Sequence, residues 1–230
     1  MLILDWMKSN VISVPPDTSL LHCRKLFKDN HIGRLPVVDA DKVVVGLISA
    51  SDINAFAPQR TTGLEILEVL DILGETMAKQ IMTVDPVTIN YKGTVEQAAQ
   101  RMIEKRVPCL PVVNDEEKLV GILTEWDIFK ALVSISGAAM PEGVEMAFKL
   151  ENKRGTLREI LDLLKEYGVR ISTVLSIISD DGMRQVKIRF WSEDAEAENK
   201  ALEKLKDHAG LRYWARGGEV YLRDKPDFKL

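Results

Sequence analysis

The sequence predicts an α+β protein built from two copies of one β-α-β-β-α unit and a smaller domain of β-α-β-β-α-β order. The first observation behind this is an internal repeat. One constant offset lays Met7 on Met82, Leu35-Pro36-Val37-Val38 on Leu110-Pro111-Val112-Val113, Val45-Gly46 on Val120-Gly121, and Asp52-Ile53 on Asp127-Ile128. The register holds from Met7 to Ile128 without a gap, across a Pro, a Gly and an Asp, which chance apolar matches do not do. The second observation is a change of composition after Ser136-Gly137-Ala138-Ala139-Met140-Pro141, which marks a linker.

Each copy reads alike. A short extended piece (Val11 to Val14; Val87 to Ile89) precedes a helix with three–four spacing (Leu20 to Phe27; Val95 to Ile103). A β-branched strand follows (Leu35 to Val38; Leu110 to Val113), then a polar turn (Asp39 to Lys42; Asn114 to Lys118), a second strand (Val43 to Ser49; Leu119 to Thr124) and a helix from near Ser51 or Glu125. Neither copy has the apolar surface to close a core alone, so the two are expected to pack about a pseudo-twofold axis. This gives repeats at 1–57 and 80–136. Between them, 58–79 reads as an amphipathic connecting helix with Leu64, Leu67, Leu70 and Leu73 on one face.

After a linker at 137–142, the third domain spans 143–216. Strand Val144 to Leu150, helix Thr156 to Tyr167, strand Arg170 to Ser179, strand Arg184 to Trp191, helix Ala195 to His208 and a strand from Leu211 follow the ferredoxin-like plan. Residues 217–230 read as a tail. The alternating Val186, Ile188 and Phe190 would suit a sheet that pairs across subunits.

Composition narrows the function. Of 230 residues, 46% are hydrophobic, and the formal charge is −4. The negative balance argues against a general nucleic-acid binder, which needs a Lys and Arg surplus on one face; no basic recognition helix is visible either. No apolar run approaches the ~20 residues of a membrane span. Met1 to Trp6 lacks a basic leader and cleavage site, so no signal peptide is expected. Cys23 and Cys109 read as buried free thiols, which favours the cytoplasm. His22, His31 and His208 share no metal-ligand spacing, so no metal is expected. No nucleophile elbow or phosphate loop ending in Lys-Ser/Thr occurs, so no catalytic residues and no enzyme activity are expected.

Two short stretches carry the chemistry, Gly46-Leu47-Ile48-Ser49-Ala50-Ser51-Asp52 and Gly121-Ile122-Leu123-Thr124-Glu125-Trp126-Asp127. An ionised Asp accepts hydrogen bonds on both oxygens and suits a ribose diol. The Ser49 or Thr124 hydroxyl, with the free N–H groups of the following helix turn, favours a phosphate. Gly46 and Gly121 admit close backbone approach. The same Ser-x-x-Asp and Thr-x-x-Asp spacing is also that of a capping interaction, in which the acid merely bonds the cap. Trp126 is either an adenine-stacking surface or packing, such as at a dimer face.

These stretches, each after a Leu-Pro-Val-Val strand, resemble the signature of the cystathionine-beta-synthase (CBS) domain family, whose tandem pair forms a Bateman module. The resemblance covers about residues 1–136. It implies two clefts that hold an adenosine-containing ligand, each built from both repeats. One would join Asn10, Ile12, Ile32, Gly33 and Arg34 with Thr124 and Asp127. The other would join Thr83, Asp85, Val87, Val107, Pro108 and Cys109 with Ser49 and Asp52. Arg34 offers phosphate a fork of donors where its repeat mate is Cys109, so the first cleft is expected to be the better nucleotide site. The implied ligand is AMP, ADP, ATP or S-adenosylmethionine.

Glu151-Asn152-Lys153-Arg154-Gly155-Thr156-Leu157, followed by Gly168-Val169-Arg170-Ile171, is similar to the first loop and second strand of the ACT domain family. Asn152, Gly155 and Thr156 form the corresponding loop. It departs from the family's Asp-x-Pro-Gly pattern, so the expected role is dimerisation, with amino-acid binding the lesser alternative. Two CBS repeats followed by an ACT-like domain resemble the acetoin-utilisation B family, which implies regulation in small-carbon metabolism. The expectation is a cytoplasmic, homodimeric sensor of a small-molecule ligand, acting on neither nucleic acid nor membrane. The alternative is a ligand-free dimerisation or interaction module.

Overall fold

The computed structural model describes residues 1–56, 66–139 and 142–224. It divides into two compact units, Met1–Ala131 and Leu132–Leu230. The division falls inside a helix, earlier than the linker expected at 137–142, of which Met140 and Pro141 lie outside the described residues.

In the first unit, α1 (Leu20–Asn30), β1 (Arg34–Val38), β2 (Val44–Ser49) and α2 (Ala50–Phe56) form the first repeat. α3 (Ile66–Glu75) and α4 (Ala78–Ile81) follow. β3 (Thr83–Val84), β4 (Ile89–Asn90), α5 (Val95–Lys105), β5 (Cys109–Val113), β6 (Leu119–Thr124) and α6 (Glu125–Ile135) form the second. Matching helices use matching ends. The Ser19 hydroxyl accepts the His22 N–H at α1, and Thr94 and Gln97 form a reciprocal capping box at α5. Both helices stop at a left-handed residue, His31 (φ 51°) and Arg106 (φ 54°).

Where a single connecting helix is expected over 58–79, the described residues form α3 and α4 with a break between them. Thr76 donates its hydroxyl back to the Ile72 carbonyl at 2.7 Å, and the chain turns before α4. Leu73 is buried in the first repeat's core, and Leu70 is half-buried. Residues 57–65, which include Leu64, and the side chain of Leu67 lie outside the described residues.

The repeats exchange their leading segments. Ile3 is buried with Ile89, Ala98, Leu110 and Leu123 of the second repeat, and Lys8 pairs through its N–H and carbonyl with Ile122 at 3.0 Å each. In return, Ala78 packs in the first repeat's core, and Thr83 and Val84 pair with Leu47 and Gly46. Each half-sheet is thus completed by chain from the other half, which supplies the apolar surface a single repeat lacks.

Cys23 is fully buried in the first core, and burial pushes its thiol up from 9.0 to about 11. Because the fold raises this value, the neutral thiol stabilises fully below pH 9.0, and the contribution is lost as pH rises through about 11. Cys23 should therefore resist a thiol reagent at pH 8 until the protein unfolds, and urea midpoints should fall across that alkaline window. Rapid labelling of the native protein at Cys23, located by mass spectrometry, would contradict this placement.

In the second unit, β7 (Val144–Leu150), α7 (Thr156–Glu166), β8 (Arg170–Ile178), β9 (Arg184–Trp191), α8 (Ala195–Lys206), β10 (Leu211–Arg216) and β11 (Glu219–Leu222) form one sheet with two helices. The strand order is β11-β10-β7-β9-β8, every pairing antiparallel. β7 alternates strictly, burying Val144, Met146, Phe148 and Leu150, and these meet Phe190, Ile188, Val186 and Arg184 across the ladder. Val186, Ile188 and Phe190 belong to this domain's core, together with Ile160 and Leu164 of α7. The segment expected as a tail contributes β11, whose Tyr221 ring stacks on Trp214 at 4.0 Å. Residues 225–230 lie outside the described residues.

Candidate functional site

The junction of β6 and α6 builds the site. Strand geometry ends at Thr124 and helix begins at Glu125, so the first N–H groups of α6 have no partner within the helix. Asp127 turns back to meet this end. Its Oδ2 accepts the Thr124 N–H at 2.9 Å and the Thr124 hydroxyl at 2.6 Å. Its Oδ1 faces Lys130 Nζ at 3.5 Å. The Asp127 residue is only 3% exposed, so these partners carry a charge that water does not reach. The first repeat reproduces half of this. Asp52 Oδ2 accepts the Ser49 N–H and hydroxyl, both at 2.7 Å, and Ser49 Oγ also meets Ser51 Oγ.

Capping and ligand chemistry are therefore not exclusive at Asp127. One oxygen holds the strand–helix turn, and the other faces the exposed Lys130 ammonium at a cavity wall. That cavity, about 480 Å³, is lined by Lys8, His31, Ile32, Gly33, Arg34, Pro108, Cys109, Ile122, Thr124, Glu125, Trp126, Asp127 and Lys130. Its volume suits a small-molecule site, which is typically about 300–1,000 Å³. Lys8, Arg34 and Lys130 outnumber Glu125 and Asp127, so the walls favour an anion. Trp126 is 69% exposed and meets Phe129 edge-on at 6.0 Å.

Of the residues expected in the first cleft, Ile32, Gly33, Arg34, Thr124 and Asp127 line this cavity together. Asn10 and Ile12 do not; Asn10 is exposed and Ile12 packs against the first repeat's core. The cavity also takes Pro108 and Cys109, which were expected in the second cleft. The reason is the pseudo-symmetry itself, which brings the starts of β1 and β5 together, so Arg34 lies against its own repeat mate. Burial pushes the Cys109 thiol up, while the hydrogen-bonded Arg34 cation pulls the other way.

The other second-cleft residues are distributed. Thr83 pairs with Leu47, and Asp85 is an exposed residue with φ 46°. Val87 and Val107 pack on the second repeat's core, and Val107 and Pro108 edge a separate hollow of about 390 Å³ beside Ile103 and Phe129.

Sequence reasoning missed Lys8, His31, Ile122, Glu125 and Lys130. Lys130 carried a signal, since it lies one helical turn beyond Asp127. Lys8 follows Met7, the first matched residue of the repeat, but only the exchange of segments brings it to β6.

In the second unit, Gly155 (φ 99°) precedes α7. Its neighbours serve the loop itself: Arg184 donates to Asn152 Oδ1 at 3.0 Å, and the Thr156 hydroxyl reaches the Glu151 and Lys153 carbonyls at 3.1 Å each.

The CBS-domain family profile matches residues 3–57 and 78–134. The uncharacterized protein MJ1426 of Methanocaldococcus jannaschii is 32% identical over 155 residues, covering 58% of this chain and 92% of its own. CBSX2, a CBS-pair protein from Arabidopsis thaliana, is 26% identical with a TM-score of 0.52 over 59% of this chain and 96% of its own. A second CBSX2 structure, in complex with AMP, gives 26%, 0.48, 58% and 97% in the same terms. The CBS pair of MJ0100, in complex with 5′-methylthioadenosine and S-adenosyl-L-methionine, gives 25%, 0.49, 57% and 95%. Among the described residues, no helix is long and apolar enough to cross a membrane. With two matched copies and a relative covered almost end to end, the chain belongs to the CBS-domain family.

Proposed function

We propose that this protein is a non-catalytic sensor of an adenine nucleotide, held in the cavity between the two repeats. The observation that carries this is a buried carboxylate on the wall of a cavity, its Oδ1 facing Lys130, where the other charges are mostly cationic. In this reading Asp127 takes the ribose hydroxyls, Arg34 and Thr124 meet the phosphate, and Trp126 offers its indole face to adenine. Pro108 and Cys109 form the facing wall. What supports an adenosine ligand beyond this chain is the AMP complex of CBSX2, whose fold this chain shares. Asn10, Ile12 and the Ser49–Asp52 turn, with Thr83, Asp85, Val87 and Val107, are assigned to weaker or empty positions.

The β-α-β-β-α-β unit is read as ACT-like and as the dimerisation module of a cytoplasmic homodimer. Asn152, Gly155 and Thr156 keep its loop in shape rather than hold an amino acid. Ligand bridging the repeats favours one arrangement of the pair, and the dimer relays that population shift. Two CBS repeats before such a domain also suit regulation of small-carbon metabolism, acetoin use included.

The test is calorimetric titration of the purified protein with AMP, ADP, ATP and S-adenosylmethionine, alongside thermal melts. Binding of at least one, stoichiometric with the cavity, is the expected result. Flat titrations and unmoved melts across all four would leave a ligand-free interaction module, for which sedimentation of the dimer would be the relevant measurement.

A further inference from the structure

We infer that Lys130 is the residue by which this cavity selects an anionic nucleotide over the neutral nucleoside; the inference rests on the ribose–Asp127 reading above. Lys130 Nζ stands 3.5 Å from Asp127 Oδ1, while Oδ2 is already engaged by the Thr124 N–H and hydroxyl. The oxygen left for a ribose diol is therefore the one that the lysine occupies. A diol at Oδ1 therefore competes with Nζ for that oxygen.

The exchange is uneven for different ligands. The Asp127 side chain is 5% exposed and that of Lys130 is 64% exposed, so the carboxylate is fixed while the ammonium can swing on its four-carbon stem. A neutral nucleoside removes the counter-ion of a buried carboxylate and returns nothing to the lysine. A nucleotide carries its own anion into the cavity, where Lys130 moves onto phosphate beside Arg34 and Lys8. Lys130 thus holds the site closed to adenosine and opens it to phosphorylated forms.

The repeat shows that this is not a general consequence of the fold. The offset that lays Asp52 on Asp127 lays Ala55 on Lys130, Thr83 on Lys8 and Cys109 on Arg34. The Ser49–Asp52 turn keeps the same capping bonds with no cation one turn on. The lysine is therefore dispensable for the turn, and its place in the cavity calls for a separate role.

The experiment titrates adenosine, AMP and ADP calorimetrically into wild-type protein, Lys130→Ala and Lys130→Arg. Lys130→Ala should bind adenosine about two- to fivefold more tightly, the worth of an ion pair with one exposed partner no longer broken. It should bind ADP about fivefold or more weakly, because a charge-assisted contact is lost. Opposite signs for the two ligands, with Lys130→Arg near wild type, support the gate. Equal changes for adenosine and ADP, or none, overturn it and leave the nucleotide site standing. Wild-type protein that binds none of the three overturns the underlying site as well. The solvent-facing lysine makes misfolding no explanation, and matching urea midpoints for the three proteins check this.

Discussion

Gly46→Ala is expected to lower the unfolding free energy by about 1–3 kcal/mol, the usual cost of forcing atoms into a filled core. A Cβ at Gly46 would stand 2.2 Å from Met82 Sδ, 2.8 Å from its Cγ and 3.2 Å from its Cβ. Cγ and Cβ stand close behind Sδ, so moving the terminal methyl alone does not relieve the clash and the side chain must shift from Cβ outward. Gly121 repeats the arrangement against Met7, with Sδ at 2.5 Å and the Lys8 carbonyl at 3.2 Å. Each glycine thus admits the methionine that arrives with the exchanged segment. Urea denaturation of Gly46→Ala, Met82→Ala and the double variant should give a coupling of about 1 kcal/mol, as contacting residues do. Strictly additive effects would mean that Met82 does not seat on β2, and the exchange would have to be redrawn. Gly33→Ala is the control, since nothing stands within 4 Å of its Cβ position.

The same glycines mark what the sequence could and could not say. The offset from Met7 to Ile128 was legible because a pseudo-symmetric fold repeats its punctuation, and both Gly positions stand in it. The reason for them was not: the sequence shows that the backbone can approach closely there, but not that a methionine contributed by the other repeat fills the space. Periodicity reports which face of an element is apolar, but not which neighbour covers it. That limit also hid Lys8, which reaches the cavity only because its segment crosses over. It likewise marked Val186, Ile188 and Phe190 as one apolar face without showing that α7 and α8 cover it. β11 was lost for a different reason. Its pairing with β10 buries little, since Glu219 to Leu222 are all exposed, and a strand held mainly by backbone bonds leaves no alternation to read. The Thr124–Asp127 turn stayed ambiguous between cap and site because one spacing serves both, and only the separate partners of Oδ1 and Oδ2 separate the roles.

Those two roles predict two separable losses at Asp127. Asp127→Ala removes the acceptor of the Thr124 N–H and hydroxyl, and should cost about 1–2 kcal/mol of stability as a lost helix cap. It also removes the charged acceptor proposed for the ribose, and hydrogen bonds to charged groups are worth about 1.5–3 kcal/mol each, so affinity should fall roughly a hundredfold. At a ligand concentration a hundred times the wild-type Kd, ligand-induced stabilisation should drop from about 2.7 kcal/mol to about 0.4 kcal/mol. Asp127→Asn keeps an oxygen toward Thr124 but surrenders the charge, and should recover most of the stability while regaining little of the affinity. Asp52→Ala breaks the equivalent turn, whose acid has no lysine one turn on, and should lose stability comparably while keeping the ligand-induced shift. A cap without a ligand would give another pattern. All three variants would then differ only in unliganded stability, and no nucleotide would move any of their melts. Ligand shifts that fall together in Asp52→Ala and Asp127→Ala would instead make the site a shared property of both turns. The asymmetry of Lys8, Arg34 and Lys130 would then need another explanation.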